Sequence, residues 1–224
     1  MNRRALLTIG LTAIASLVIV GCASSPEVTA PTATATASPS ALGAGFWDPA
    51  NPPAPEATIT PEPGSWDAAA TPADYTVVLL SFADDEEHTV TLVDAIREWA
   101  ASEGVDLTEM VAKTRDDLIG TTLEAIDAKP DLIISAGNVM VDPLAALTPS
   151  ALHQQFLIVG AEIAEPTANV TAVDWEGAGY RGEGLGTPTN YDPATFTSER
   201  AERALRAGVA AVVNGVRGYV IWVS

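Results

Sequence analysis

Residues 131–143 read Asp131-Leu132-Ile133-Ile134-Ser135-Ala136-Gly137-Asn138-Val139-Met140-Val141-Asp142-Pro143. Pro130 stands just before them and disfavours helix in the residue that precedes it. A short apolar run with β-branched residues follows, and then a Gly-Asn turn. Such a run is the mark of a strand buried on both faces, as in a parallel sheet. Asp142 and Pro143 then have the residue types of a helix N-cap and first helical position. Strand, tight turn and helix make half of a βαβ unit. In open α/β sheets the ligand crevice lies at the carboxyl ends of the strands, here around Gly137 and Asn138.

The same alternation extends on both sides. Tyr75 to Phe82 has the apolar content of a buried strand. From His88 to Ser102 the spacing puts Thr89, Leu92, Val93, Ile96, Trp99 and Ala100 on one helical face. A weaker strand is predicted over Val105 to Ala112. A helix from Arg115 to Ala128 should turn Ile119, Leu123 and Ile126 inward. After the central strand come a helix from Pro143 to His153 and strands over Gln155–Gly160 and Asn169–Trp175. Thr197 to Asn214 carries the strongest helical stripe, made by Ala201, Ala204, Leu205, Gly208, Val209, Val212 and Val213. Glu199 sits near its start and Asn214-Gly215 suits its end. Gly218 to Val223 is a last strand. The expected fold is therefore one three-layer α/β domain with a mostly parallel, about six-stranded sheet. Trp175 to Phe196 does not fit this alternation. It is Gly-rich, and a loop of that length is functional or disordered.

The first 74 residues have a different character. Met1-Asn2-Arg3-Arg4 is a basic start, and Ala5 to Val20 is an apolar run too short for a membrane span. It ends Ile19-Val20-Gly21-Cys22, which resembles the bacterial lipobox. The resemblance implies cleavage after Gly21 and lipidation of Cys22, with palmitate among the acyl chains, although Leu is commoner where Ile19 stands. Cys22 is the one cysteine, so no internal disulfide exists. Three acyl chains would hold the mature protein on the outer face of the cell membrane, each buried CH₂ adding about 0.8 kcal/mol. Residues 23–74 hold 10 of the 16 prolines with many Ala and Thr. This composition predicts a disordered linker, with Trp47 and Trp66 incidental to it. Fully polyproline-like, it would reach roughly 160 Å. Residues 75–224 are then the folded domain, with the Gly-rich loop over 176–196.

The formal net charge is −18. An acidic surface of this kind repels nucleic acid, so no nucleic-acid partner is expected. The two histidines, His88 and His153, suit surface or capping positions, and no nucleophile–base pair can be assembled. Gly177-Ala178-Gly179-Tyr180-Arg181-Gly182 matches a dinucleotide fingerprint, but Gly184, Gly186 and Pro188 forbid the helix that must open there. No spacing suggests a metal, and no cofactor or catalysis is expected.

With these elements in order, the domain resembles the first lobe of the basic membrane protein family. These are lipoprotein solute-binding proteins of ABC importers with the type 1 periplasmic binding fold, a Rossmann-like architecture. The resemblance rests on Pro130 to Gly137 with Met140, Asp142 and Leu144. It is extended by Phe156-Leu157-Ile158-Val159-Gly160 and Asn169-Val170-Thr171-Ala172-Val173, and by Asp84-Asp85 after the first strand. Glu86-Glu87-His88 and Gly160 depart from the family pattern, and the chain stops at Ser224, where the family crosses to a second lobe. The resemblance implies a small nucleoside-like ligand and an ABC permease as partner. The residues expected to line the site are Phe82, Asp84, Asp85, Gly137, Asn138, Asp174 and Trp175. Trp175 suits either stacking on a ligand ring or anchoring the Gly-rich loop. Asn138 suits either ligand contact or a left-handed turn. The acids at 84–87 suit either hydroxyl recognition or a solvated helix start. The competing function is a non-transporting interaction lipoprotein whose strand-end crevice is filled.

Overall fold

The central run forms strand β4 (Leu132–Ala136), and all five of its residues are buried. The structure, a computed structural model, describes residues 42–83, 86–164, 166–178 and 191–224. The described residues all belong to one compact unit. The lipidation candidate Cys22, Asp84, Asp85 and most of the Gly-rich loop lie outside the described residues.

Around β4 the other strands are β1 (Thr58–Ile59), β2 (Thr76–Phe82), β3 (Asp106–Ala112), β5 (Phe156–Val159), β6 (Val170–Asp174) and β7 (Val220–Trp222). They form one sheet in the order β1-β7-β6-β5-β4-β2-β3, and every adjacent pair is parallel. The fold is thus a single α/β domain on an all-parallel sheet, with one strand more than the sequence predicts. Helices α1 (Glu87–Glu103) and α4 (Ser198–Val213) cover one face, and α2 (Leu118–Ala128) and α3 (Val141–Leu147) cover the other. β4 can be buried throughout, and apolar except for Ser135, because both its faces meet a helix layer.

Helix α1 buries Thr89, Leu92, Val93, Ile96, Trp99 and Ala100, the predicted stripe. The Thr197 hydroxyl caps α4 by accepting from the Arg200 N–H at 3.3 Å. The chain leaves α4 through Asn214 and a left-handed Gly215. The predicted α4 stripe is buried except for Val213, which is half-buried.

Three expectations are corrected. First, residues 42–74 are not a free linker. Phe46, Ile59 and Trp66 are buried in the α1/α4 core, and Trp47 packs against it. Phe46 and Trp66 meet edge to face, with centroids 6.4 Å apart. Ala57 accepts from the Val220 N–H at 3.1 Å, which brings β1 alongside β7. Isolated aromatics carry this packing, each contributing at most about 4–6 kcal/mol from burial of its surface. Proline-rich composition hides such anchors because they show no period.

Second, Ile119 and Leu123 point outward, 45% and 44% exposed, and Thr122 and Ala125 face the sheet instead. A 3₁₀ turn over Arg115–Asp117, capped by Thr114 and Asp117, precedes α2. It shifts the helical phase. Third, α3 is short, and its N-cap is Met140 rather than Asp142, which stands in the first turn.

Candidate functional site

The chain leaves β2 through α1 toward β3 on one side, and leaves β4 through α3 toward β5 on the other. The carboxyl ends of the neighbours β2 and β4 therefore form the topological switch point where open α/β sheets bind ligands. Gly137 follows β4 directly, with φ of +72°, and its N–H donates to Val159 at 2.9 Å. A Cβ placed on Gly137 would meet only the Thr89 hydroxyl at 3.7 Å and a Leu92 methyl at 3.9 Å. Asn138 is half-buried, and its carbonyl accepts from the Val141 N–H at 3.0 Å. The left-handed residue of this turn is Gly137, and Asn138 has ordinary backbone angles.

Phe82 ends β2 on the α2/α3 side, half-buried, with the Arg115 guanidinium 6.0 Å from its ring centroid. Asp174 ends β6. It is fully buried, and its Oδ1 accepts from the Trp175 N–H at 2.9 Å. In the sheet β4 and β5 stand between β2 and β6. Three strand spacings place Phe82 roughly 14 Å from Asp174 and Trp175. The described members of the predicted set thus lie along one edge of the sheet without closing on one point.

Trp175 is 1% exposed, so its ring has no face open to a ligand. Its Nε1–H donates to the Thr195 hydroxyl at 3.1 Å. The Phe196 ring sits edge-on at 4.9 Å. The Thr195 hydroxyl donates to the Asp192 carbonyl at 2.7 Å, and the Asp192 N–H to Gly177 at 2.8 Å. Of the two roles open to Trp175, the structure shows the anchor. It holds the segment that returns from the Gly-rich loop into α4.

Phe196, Tyr191 and His88 complete an aromatic group that the sequence did not suggest. His88 meets Phe196 at 5.3 Å and Tyr191 at 5.9 Å, both edge-on. Phe196 did carry a signal, because it directly precedes the N-cap of α4, where a hydrophobic staple residue belongs. Glu162, two residues beyond Gly160, is another buried acid at this edge. Among the described residues, no group of three acid, His or Cys side chains is placed to hold a metal ion.

Beside these aromatics a cleft of about 650 Å³ opens between the starts of α1 and α4. Its walls carry the carboxylates of Glu86 and Glu87, the His88 imidazole, the Thr91 and Ser198 hydroxyls, and the Phe196 ring. Carboxylates and hydroxyls accept hydrogen bonds from ligand hydroxyls, and ring edges and faces pack on flat ligands.

No protein-family model matches the sequence, and no curated protein is detectably similar to it. Solved structures similar to this chain include a solute-binding protein of an ABC transporter system from Aeropyrum pernix K1. It is 19% identical over 46% of this chain and 29% of its own, with a TM-score of 0.42. A putative lipoprotein fragment from Peptoclostridium difficile 630 is 15% identical over 62% of this chain and 98% of its own, at a TM-score of 0.46. A periplasmic ribose ABC transporter protein from Conexibacter woesei is 13% identical over 69% of this chain and 55% of its own, at 0.35. The chain thus spans under a third of the first of these and about half of the third. No helix among the described residues is long and apolar enough to cross a membrane.

Proposed function

We propose that this chain is a solute-binding lobe displayed on the outer face of the cell membrane by a lipidated Cys22. In this reading it takes a small hydroxyl-bearing, nucleoside-like molecule at the carboxyl edge of its sheet and presents it to an ABC permease. The observation that carries the proposal is the cleft of about 650 Å³ between the starts of α1 and α4, lined by Glu86, Glu87, His88, Thr91 and Ser198. The nucleoside is supported by the resemblance of residues 130–144 to the basic membrane protein family. The reading is of a binder rather than a catalyst.

Titration calorimetry of the full chain with a panel of nucleosides and free sugars tests it. Saturable heat that falls at least about tenfold in affinity with Glu87→Gln or His88→Ala is expected, the loss of one charge-assisted hydrogen bond being worth about that much. Silence across the whole panel would sink the ligand, and binding indifferent to both substitutions would move it elsewhere. The anchor is tested separately. Labelled palmitate should enter the chain, and Cys22→Ser should abolish the label and release the protein without detergent.

One observation favours a second reading, a non-transporting interaction lipoprotein. Over Gly160 the crevice is filled by Phe196, Leu92 and Trp175. The same calorimetry separates the two, because this reading expects no heat with any small solute.

A further inference from the structure

Helix α1 packs against α4 along one flank. Its other flank overlooks β3, the last strand of the sheet, and no further helix covers that side among the described residues. Arg97 spans the gap from α1 to β3. Its Nε and Nη2 donate to Glu109 at 3.0 and 2.7 Å, and its Nη1 donates to Asp94 at 3.0 Å. Toward the carboxyl ends of the strands a groove of about 190 Å³ stays open, with Val90, Val93 and Val111 among its walls. Val90 on α1 and Val111 on β3 are 44% and 39% exposed.

The groove also carries two hydroxyls, those of Ser81 and Thr89. Side chains alternate along β2, so Ser81 turns to the α1 face, where Val77 and Leu79 are core. The Thr89 hydroxyl lies 3.7 Å from the point where a Cβ on Gly137 would stand. Each residue is only 4% exposed, and neither hydroxyl has a hydrogen-bond partner among the described residues. Hydroxyls so deeply set in an apolar wall are normally paired. The charged lining residue is Arg97, and two carboxylates already match its guanidinium. Arg115 stands over Phe82 and Lys113 follows β3, and neither lines the groove. An ion entering here would lose water without meeting an unpaired counter-charge.

We propose that this groove is a second binding site, separate from the cleft between the starts of α1 and α4, for a small neutral alcohol with a ring-shaped or branched apolar body. The ligand hydroxyl meets Ser81 and Thr89, donating to one and accepting from the other, since a side-chain hydroxyl can play either part. The hydrocarbon body lies against Val90, Val93 and Val111. The size fits, because an apolar cavity of about 150 Å³ takes a molecule as large as benzene.

The test follows backbone amide NMR shifts of the full chain during titration with cyclohexanol, cyclohexylamine and cyclohexanecarboxylate at neutral pH. Cyclohexanol should give saturable shifts at Ser81, Thr89, Val90 and Val111. The two ionic analogues should bind at least about tenfold more weakly. Ser81→Ala and Thr89→Val each remove one hydroxyl with little change of volume. Each should weaken cyclohexanol about three- to tenfold, the scale of one hydrogen bond. Val90→Trp fills the groove from an exposed position and should abolish the shifts while circular dichroism stays unchanged. That variant decides the site by itself, and shifts that persist in it overturn the proposal. So does the lack of any saturable shift, an ionic analogue that binds as tightly as the alcohol, or an affinity indifferent to both hydroxyl substitutions. Shifts confined to Glu87, His88 and Ser198 also overturn it, because the alcohol then occupies the other cleft.

Discussion

Gly137 and Gly160 occupy the same place on neighbouring strands. Each is the first residue past its strand, each has a left-handed backbone, and each donates its N–H at 2.9 Å to the next strand. The space above them differs. Over Gly137 a methyl group would find nothing closer than 3.7 Å, whereas over Gly160 it would meet Phe196 at 2.9 Å, Leu92 at 3.0 Å and Trp175 at 3.1 Å. One backbone device therefore serves two ends. At β4 it leaves room at the switch point, and at β5 it makes room for an aromatic plug that belongs to the protein itself. Conformation alone does not mark a ligand site, and what stands over the turn decides.

This contrast can be broken by experiment. The largest effect is expected from Trp175→Ala. It removes a fully buried ring and its hydrogen bond to Thr195, and should cost about 3–5 kcal/mol in denaturant unfolding. A loss under 1 kcal/mol would mean that the plug is not part of the folded core. Gly160→Ala should cost about 2–4 kcal/mol, combining a left-handed alanine with a clash against Phe196 and Leu92. Gly137→Ala bears only the backbone cost of a left-handed alanine and should lose about 1–2 kcal/mol. Equal losses at the two glycines, measured side by side, would erase the distinction between an end with room for a methyl group and a filled one.

The opposite edge of the sheet supplies the smallest effect. The Tyr75 hydroxyl, just before β2, is pushed up to about 12 by burial and by the nearby Asp131 carboxylate. An unfolded tyrosine titrates near 10. Folding thus favours the protonated phenol, and its contribution is complete below about pH 10 and is lost as pH rises toward 12. In a spectroscopic titration of the four tyrosines, one should ionise late, and Tyr75→Phe should abolish that late step. An unchanged late step would assign it to another tyrosine.

The parts legible from residue order were those whose pattern is local. The apolar run at 132–136 and the stripe and caps of α4 stand out because strand burial and helix capping are written in consecutive residues. The turn after β4 was also visible, since Gly-Asn after such a run has few other uses. The plug was not visible. Phe196 and Trp175 stand twenty-one positions apart, and only the return of the chain into α4 brings their rings to 4.9 Å. The packing of residues 42–74 was hidden for the same reason. Tyr219 donates to the Pro53 carbonyl at 3.4 Å across 166 positions, and no periodicity reports such a partner.

Sequence alone settled that this is an α/β protein with βαβ order, an apolar central strand and an acidic surface. Propensity, period and charge act within a few residues, and they need no partner to be read. Tertiary structure alone settled that a proline-rich stretch is packed into the core, that one strand end has space for a methyl group while its neighbour is filled, and that β3 is left at the edge. Each of these depends on which distant surface arrives to exclude water.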